Sequence, residues 1–507
     1  MSELNSNDLP LEILVKVFRY LDGRNLKNAT LTCKLWNDLI ESACQWSLEL
    51  DYNDYGKLKL TAQDSEKKMN FILTTNRKFG SIEITNGPLS ENNRILKMFQ
   101  RHGFNIVKLS LCGHRINSLI AFAELLVLTP NLNYLFIKVK NLLSDVTLDQ
   151  ILPDLNKLKT LEMVFCDQQI LKVLRKAKLT KILIRENRFQ QHYGPLVDFL
   201  SSQEMLTSLT ADLSFTFFTL LVEMGKLNVP FRLTELVISG MFGEDSSHDH
   251  SNLLRFIESQ TKTVERMEIG FNVQSCVYEY VFARMTNLDI LSVIIDEIPR
   301  SNMFYQRMKE NGSVRTMKLL DFDLDALDDL QYVGNLLSKL ANVRTLILST
   351  DNKYILALTQ ILTELESLRM DFIMDESVID YVRFSNLKAL HIELLYAKIN
   401  WNEFTKVHSR LTELVIENME HESFFTSDDM DQITTNVDLQ IIRLGIGFVA
   451  NDRLFEIIRA KCSNLKVLDL HRSSLSYGTR HNMEINVLRL CDDIKCPKTI
   501  ASNLFQP

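Results

Sequence analysis

The residue types best suited to chemistry are two histidines, His248 and His250, in the polar stretch GEDSSHDHSN. With Asp245 or Asp249 they could hold a metal ion, because imidazole and carboxylate groups are common metal ligands. However, the stretch is rich in Ser, Asp and Gly, a composition typical of a solvated loop. We therefore predict no metal site here, and leave open a substrate-contact insertion or a regulatory loop.

A glycine pair, Gly445-x-Gly447, follows the strand-like segment 439–444 and resembles the start of a nucleotide-binding turn. The third glycine of that fingerprint is missing, so the turn of a repeat explains the pair better. No P-loop, nucleophile elbow or HExxH zinc motif occurs along the chain. We predict no catalytic residue, no metal ligand and no cofactor.

The cysteines are far apart and form no CxxC pair, which argues against a zinc or redox motif. The first residues lack the basic start and apolar run of a secretory signal. We therefore expect reduced, mostly buried thiols and a cytoplasmic or nuclear location. The eight positions are Cys33, Cys44, Cys112, Cys166, Cys276, Cys462, Cys491 and Cys496.

The composition is that of an ordinary folded protein, with 46% apolar and 24% charged residues among 507. A net charge of −7 and the absence of a basic block argue against nucleic acid as a partner. No run of about 18 apolar residues occurs, so we predict no membrane-spanning helix and no membrane partner.

Three short helices are predicted in the first fifty residues. Pro10 suits the first turn of a helix, and Asp22-Gly23 has the turn chemistry that ends it. Leu14, Val17, Phe18 and Leu21 form an apolar stripe on this helix, and Leu11 and Ile13 widen the stripe beyond one core-facing side. A unit of about 40 residues with such excess apolar surface is expected to dock on a partner.

The pattern of this segment resembles an F-box. Thr32 and Gly23-Arg24 depart mildly from the family, which usually has an aliphatic residue and often a proline there. The matching residues are Leu9, Pro10, Glu12, Ile13, Leu14, Val17, Phe18, Leu21, Asp22, Leu26, Ala29, Cys33, Lys34 and Trp36.

F-box proteins bind a Skp-type adaptor that docks on a cullin, so the resemblance implies the same contact here. Packing among the three helices is the alternative role, and it stays open for Leu21, Ala29 and Leu31. The expected adaptor-binding residues are Leu9, Pro10, Ile13, Leu14, Val17, Phe18, Leu21, Leu26 and Trp36.

A pattern L-x-x-L-x-L recurs through the rest of the chain, about 17 times at a mean spacing of about 25 residues. Leu132-Leu135-Ile137 and Leu465-Leu468-Leu470 are clear copies, and weaker ones begin at positions such as Phe79 and Ile485. Alternating apolar residues predict a half-buried strand in each copy, and apolar residues at helical spacing lie between copies. Stacked copies supply one another's core.

This spacing resembles leucine-rich repeats, particularly the cysteine-containing kind found in F-box proteins. The resemblance implies an α/β solenoid, with parallel strands on a concave face, preceded by a three-helix F-box. We expect the F-box at 1–50, the repeats at 79–490 and a C-terminal cap or tail at 491–507. Residues 51–78 would be a linker, either a helix that locks the F-box to the repeats or a flexible connection.

Side chains between the core leucines of each strand are expected to point towards a target protein. Tyr134 and Phe136 are the foremost candidates, since exposed aromatics often anchor partners. We further hypothesise that an acidic or phosphorylated segment docks near Lys181 and Arg185. The other candidate target-binding residues are Arg369, Asp371, His391 and Glu393.

The resemblance implies a non-catalytic subunit of an SCF-type ubiquitin ligase, which recognises a target protein for ubiquitination and degradation. Its partners would be the Skp-type adaptor, a cullin, a RING protein and an unidentified target. An interaction scaffold that does not promote degradation is the alternative, and the sequence does not separate the two.

Overall fold

In a computed structural model, the chain divides into two units. Unit 1 comprises Met1–Leu236 and Gly243–Ile257, and unit 2 comprises Val237–Phe242 and Glu258–Pro507. The structure describes residues 10–21, 23–43, 45–51, 70–85, 93–116, 119–142, 153–164, 169–185, 194–212, 224, 229–239, 250–270, 275–294, 298–320, 330–349, 353–374, 376–419, 425–470 and 474–475.

Unit 1 begins with the three expected helices, α1 (Leu11–Tyr20), α2 (Gly23–Thr30) and α3 (Lys34–Ala43). The carbonyl of Pro10 accepts hydrogen bonds from the backbone N–H groups of Ile13 and Leu14, at 2.9 and 3.2 Å. Pro10 therefore starts α1 without the loss of a helical hydrogen bond, as expected of proline in this place.

A ladder of parallel strands follows in unit 1, and each strand from β1 to β7 pairs with the next. The strands are β1 (Gln45–Asp51), β2 (Lys78–Thr85), β3 (Lys108–Ile116), β4 (Tyr134–Leu142), β5 (Thr160–Val164), β6 (Lys181–Arg185), β7 (Ser208–Asp212) and β8 (Glu235–Ser239). The helices are α4 (Asn93–His102), α5 (Leu119–Val127), α6 (Gln169–Leu174), α7 (Gly194–Ser201) and α8 (His250–Gln260), with a 3-10 helix at Gly103–Asn105. The last residues of β8, from Val237, and of α8, from Glu258, belong to unit 2.

Unit 2 repeats this organisation, with parallel pairing from β9 through β16 and then to β18. Its strands are β9 (Arg266–Gly270), β10 (Ile290–Ile294), β11 (Thr316–Leu320), β12 (Thr345–Ser349), β13 (Ser367–Ile373), β14 (Ala389–Leu395), β15 (Glu413–Met419), β16 (Ile441–Ile446), β17 (Val449–Ala450), β18 (Val467–Asp469) and β19 (Ser474–Leu475). Its helices are α9 (Ser275–Arg284), α10 (Asn302–Arg307), α11 (Leu330–Leu337), α12 (Lys353–Thr359), α13 (Trp401–Val407), α14 (Ser427–Asn436) and α15 (Asp452–Lys461), with a 3-10 helix at Glu376–Tyr381.

The repeated leucines form the cores of both units. Leu132, Leu135 and Ile137 are buried, and so are the equivalent residues of the other copies wherever their burial is described. The residues between them are half-buried or exposed on most strands, although Val237, Ser292 and Val415 are buried, and they form an outward face of each ladder. This register confirms the predicted α/β leucine-rich-repeat solenoid. The copy beginning at Ile485 lies outside the described residues.

The ladder contains a strand that the sequence analysis did not assign. β1 begins two residues after the end of α3 and pairs with β2. The predicted repeats started at residue 79, whereas this earlier strand falls inside the predicted F-box range. The stretch 51–78 thus connects two neighbouring strands of the ladder, and only 70–78 and Asp51 of it are described.

A row of asparagines links successive repeats. The side-chain amide of Asn131 donates to the carbonyl of Phe104, and that of Asn287 donates to the carbonyl of Lys262. Asn342 and Asn386 make the same contact with Gly312 and Thr363. These asparagines lie immediately before the first apolar residue of L-x-x-L-x-L. Here they satisfy backbone carbonyls at the turn.

Candidate partner-binding surfaces

The first helix presents an exposed apolar face. Ile13 and Val17 lie one helical turn apart and are 42% and 47% exposed, and Leu11 beside them is 48% exposed. Pro10, at the start of the helix, is exposed as well. Apolar side chains with this degree of exposure on a three-helix unit are typical of a surface that a partner covers.

Other predicted adaptor contacts lie inside the three-helix core. Leu14 and Phe18 are 2% and 1% exposed, and Leu26 is buried too. The ring of Phe18 meets that of Trp36 edge to face, with centroids 5.1 Å apart. Leu14, Phe18 and Leu26 therefore pack the helices together, because a partner has almost no surface of theirs to touch.

The remaining predicted positions divide as follows. Leu21 and Trp36 are half-buried, and Leu9 lies outside the described residues. Leu31 and Leu35 were not assigned to the adaptor contact, yet they are exposed apolar residues of the same three helices. Their signal in the sequence was the surplus of leucines over what a core of about 40 residues needs.

On the outward face of unit 1, Tyr134 is tied to the neighbouring strand. Its hydroxyl donates to Glu162 Oε2 at 2.7 Å, and Arg185 Nε lies 3.4 Å from Glu162 Oε1. Burial, together with the hydrogen bond to Glu162, raises the pKa of the Tyr134 phenol, so it stays a donor. Phe136 lies in the same strand register row as Glu162 and is half-buried.

The cation of Lys181 is also engaged. Its Nζ lies 3.6 Å from Glu235 Oε2, and Ser208 donates a hydrogen bond to the same oxygen at 2.6 Å. Lys181 and Arg185 thus each face a carboxylate of their own unit. Docking of an acidic segment at these two residues stays a prediction, and such a segment would compete with Glu162 and Glu235 for them.

The outward face of unit 2 brings together the four later candidates. The Nη2 atom of Arg369 lies 2.7 Å from Glu393 Oε2, and its Nε lies 3.6 Å from Asp371 Oδ1. His391 aligns with Arg369 in the strand register, and its Nε2 lies 3.1 Å from Glu417 Oε1. Burial and the adjacent Arg369 lower the pKa of His391, although Glu417 opposes the shift, so its ring is neutral near pH 7.

A cavity of about 310 Å³ opens at β15, β16 and β18 of unit 2. Glu417 and Asn418 line it from β15, Arg443 and Gly445 from β16, and Asp469 from β18. Arg443 is exposed and forms no ion pair with another described residue. The cavity thus combines one guanidinium group with two carboxylates.

The glycine pair at this place is structural. A Cβ on Gly445 would overlap the carbonyl oxygen of Glu417, and a Cβ on Gly447 would overlap that of Met419. Gly447 also has a φ of +87°, which favours glycine. The expected repeat turn accounts for both residues.

The other chemical candidates leave no site among the described residues. No group of three His, Cys, Asp or Glu side chains in these ranges is placed to hold a metal. His248, Asp245 and Asp249 lie outside them. Of the four cysteines that the structure describes, Cys462 is buried, which raises its pKa to about 12, and the other three are half-buried. No helix in the described part is both long and apolar enough to cross a membrane.

Comparisons with known proteins identify the N-terminal helices. The F-box-like family model matches residues 6–47, which include α1, α2 and α3. A comparison with curated protein sequences finds no match.

Solved structures similar to this chain include leucine-rich-repeat proteins of bacteria. LegL7 from Legionella pneumophila is 13% identical, over 56% of this chain and 92% of its own, with a TM-score of 0.35. A leucine-rich-repeat protein of Leptospira interrogans is 12% identical, over 83% of this chain and 89% of its own, with a TM-score of 0.25.

The structure of the Rad7–Elc1 complex from yeast is also similar, at 12% identity over 92% of this chain and 90% of that chain, with a TM-score of 0.30. The repeat fold of the present chain follows from its own strand register and buried leucines. The chain therefore joins an F-box-like domain to a leucine-rich-repeat fold.

Proposed function

We propose that this protein is the substrate-recognition subunit of an SCF-type ubiquitin ligase. The observation that carries the proposal is the exposed apolar face of α1, with Ile13 and Val17, inside the segment that matches the F-box-like model. An F-box contacts a Skp-type adaptor, and through it a cullin and a RING protein. The repeats would hold a target protein by the outward faces of their strands.

The role requires no catalytic group in this chain. A receptor accelerates ubiquitin transfer by holding the target near the conjugating enzyme, which lowers the entropic cost of their encounter. The outward faces are suited to target capture because half-buried aromatic and charged side chains are held in place there. The Tyr134–Glu162–Arg185 cluster is one such place, and tyrosine and arginine are enriched among residues that dominate binding energy.

The test is affinity purification of the tagged protein from cells, probed for the adaptor and for neddylated cullin. The double variant Ile13→Glu/Val17→Lys places an ion pair at i and i+4 on the exposed face, so it keeps the helix and the net charge. We expect the wild type to recover both partners and this variant to recover neither. The double variant Leu9→Ala/Pro10→Ala is expected to weaken recovery as well.

Val127→Glu provides the matched control, since Val127 is an equally exposed apolar residue on α5 of the same unit. It should recover the adaptor as the wild type does. A wild type that recovers neither adaptor nor cullin would refute the proposal.

The alternative is a scaffold that binds the adaptor without promoting degradation. The two roles differ in what happens to the captured protein. Deletion of this chain should raise the abundance of a ligase target and slow the loss of that target after translation is blocked. Under the scaffold role the bound protein would keep its abundance and half-life.

A further inference from the structure

Five carboxylates gather on the outward face of β13 to β18 in unit 2. The same face also carries two guanidinium groups, those of Arg369 and Arg443, and the neutral ring of His391. The described charged residues of this face therefore carry a formal net charge of about −3 near pH 7. The carboxylates are those of Asp371, Glu393, Glu413, Glu417 and Asp469.

Among the described residues of this face, Glu413 and Glu417 have no guanidinium or ammonium group as an ion-pair partner. Arg369 is engaged by Glu393 and Asp371. Glu417 is about half exposed, and His391 next to it supplies no formal charge. Glu413 forms no ion pair with another described residue. A partner that carries positive charge would be complementary to this arrangement.

The cavity at β15, β16 and β18 lies among these charged residues. At about 310 Å³ it is at the small end of ligand pockets, so it suits one long side chain better than a cofactor. Two acidic residues, Glu417 and Asp469, line it together with Asn418, Gly445 and Arg443. A lysine or arginine side chain could extend its apolar stem along the wall and place its cation near the carboxylates.

We propose that the outward face of β13 to β18 docks a lysine- or arginine-bearing segment of a partner protein, with one basic side chain in this cavity. The inference rests on the proposed function in naming that partner as the ligase target. The charge and shape argument for the docking itself is independent of adaptor binding.

Arg443 allows the sign of each substitution's effect on binding to be predicted. It is exposed beside the cavity and has no ion pair among the described residues, so it repels a basic segment as it approaches. Its removal should therefore strengthen binding, whereas removal of the carboxylate charges should weaken it. A partner of opposite charge would give the reverse signs.

The experiment measures fluorescence anisotropy with the full-length protein and two labelled ten-residue peptides, one alternating Lys and Ala, the other Glu and Ala. At low salt, the lysine peptide should bind and the glutamate peptide should not. The double variant Glu417→Gln/Asp469→Asn should weaken lysine-peptide binding about tenfold, the order expected for two surface ion pairs. Arg443→Gln should tighten it by a few fold.

Glu310→Gln/Glu456→Gln is the matched control, because it removes two exposed carboxylates of unit 2 away from this face and changes the net charge equally. It should leave binding unchanged. An equal loss in the control, preferential binding of the glutamate peptide, or weaker binding by Arg443→Gln would overturn the inference. Adaptor binding by the same variants reports on the proposed function separately, since their substitutions lie outside the F-box-like domain.

Discussion

Arg77 forms an ion pair with Glu41, at 3.3 Å between Nε and Oε1. Glu41 belongs to α3 of the F-box-like domain, and Arg77 immediately precedes β2 of the repeats. The guanidinium also lies over the ring of Phe71, 5.4 Å from its centroid. Because β1 follows α3 almost at once and pairs with β2, the F-box-like domain and the first repeats are joined twice.

We predict that Arg77→Ala loosens this junction. A partly exposed ion pair is worth about 0.2–1 kcal/mol, so the free energy of unfolding should fall by that order. Amide hydrogen exchange in α3 should become faster. A double-mutant cycle with Glu41→Ala measures the coupling, and Lys97→Ala, an exposed cation on α4, is the control. Zero coupling between Arg77 and Glu41 would show that the pair does not hold the junction.

A second prediction concerns Asn311, a buried residue in the turn before β11. Its side-chain amide donates to the carbonyl of Met285 at 3.2 Å, and its Oδ1 accepts from the backbone N–H of Ser313 at 2.9 Å. Asn311→Ala removes these hydrogen bonds, and the Ser313 hydroxyl, at 3.3 Å, is left to donate to the Met285 carbonyl. The substitution should lower the free energy of unfolding by about 1–3 kcal/mol.

The matched control is Asn287→Ala, at an exposed member of the asparagine row. Water can replace its hydrogen bond, so we expect a loss of about 1 kcal/mol or less. Denaturant unfolding of both variants gives the comparison. Equal losses would show that burial does not set the strength of these turn contacts.

The third prediction is a loss of stability in mild acid. His408 is buried, its Nδ1–H donates to the carbonyl of Phe404 at 2.8 Å, and its Nε2 accepts from the N–H of Phe384 at 3.3 Å. Burial lowers the pKa of His408, and the pKa values of His102 and His391 are lowered too. The neutral form is therefore favoured in the fold.

Below pH 6.5 the unfolded chain binds protons that the folded chain does not. Stability is fully present above the unfolded pKa and is lost as the pH falls towards the folded pKa, by at most about 1.4 kcal/mol per pH unit per histidine. We expect the melting temperature to fall between pH 7.5 and 5.5, and His408→Gln to reduce that slope. An unchanged slope in the variant would show that His408 does not contribute.

The fourth prediction contrasts two glycines. Gly445→Ala should lower the free energy of unfolding by about 1 kcal/mol or more, because its Cβ would overlap the Glu417 carbonyl. Gly334 is in the interior of α11, and a Cβ there would meet only the ends of two side chains, Leu358 at 3.3 Å and Ile361 at 4.0 Å. Gly334→Ala should be neutral or stabilising, since alanine favours a helix. Similar losses in thermal unfolding would contradict this account.

The sequence predicted the repeats because their signal is summed over many copies. The copies at Leu132 and Leu465 are clear, and even the weak copy at Phe79 keeps its phase and forms β2. β1 was not predicted because Gln45–Asp51 lacks the complete L-x-x-L-x-L pattern and was grouped with the F-box. Its place becomes evident only through its pairing with β2.

The candidate surfaces were predicted less completely. An apolar stripe on α1 indicates which side of the helix packs against other protein, but it does not tell a binding partner from the other two helices. Ile13 and Phe18 were therefore both predicted as adaptor contacts. Glu162 and Glu235 were overlooked, although Glu162 occupies the same repeat position as Phe136. Alignment of successive copies would have placed Glu162 beside Phe136, one step along the same face from Tyr134. The ion pair between Glu162 and Arg185 depends on side-chain geometry.

Calorimetry with the purified adaptor and the purified full-length protein tests whether the exposed face of α1 binds a Skp-type adaptor. We predict a one-to-one complex with the wild type and with Val127→Glu, and loss of binding for Ile13→Glu/Val17→Lys at an unchanged melting temperature. A wild type that gives no binding heat and does not co-elute with the adaptor in gel filtration would contradict the account, as would full binding by the Ile13→Glu/Val17→Lys variant.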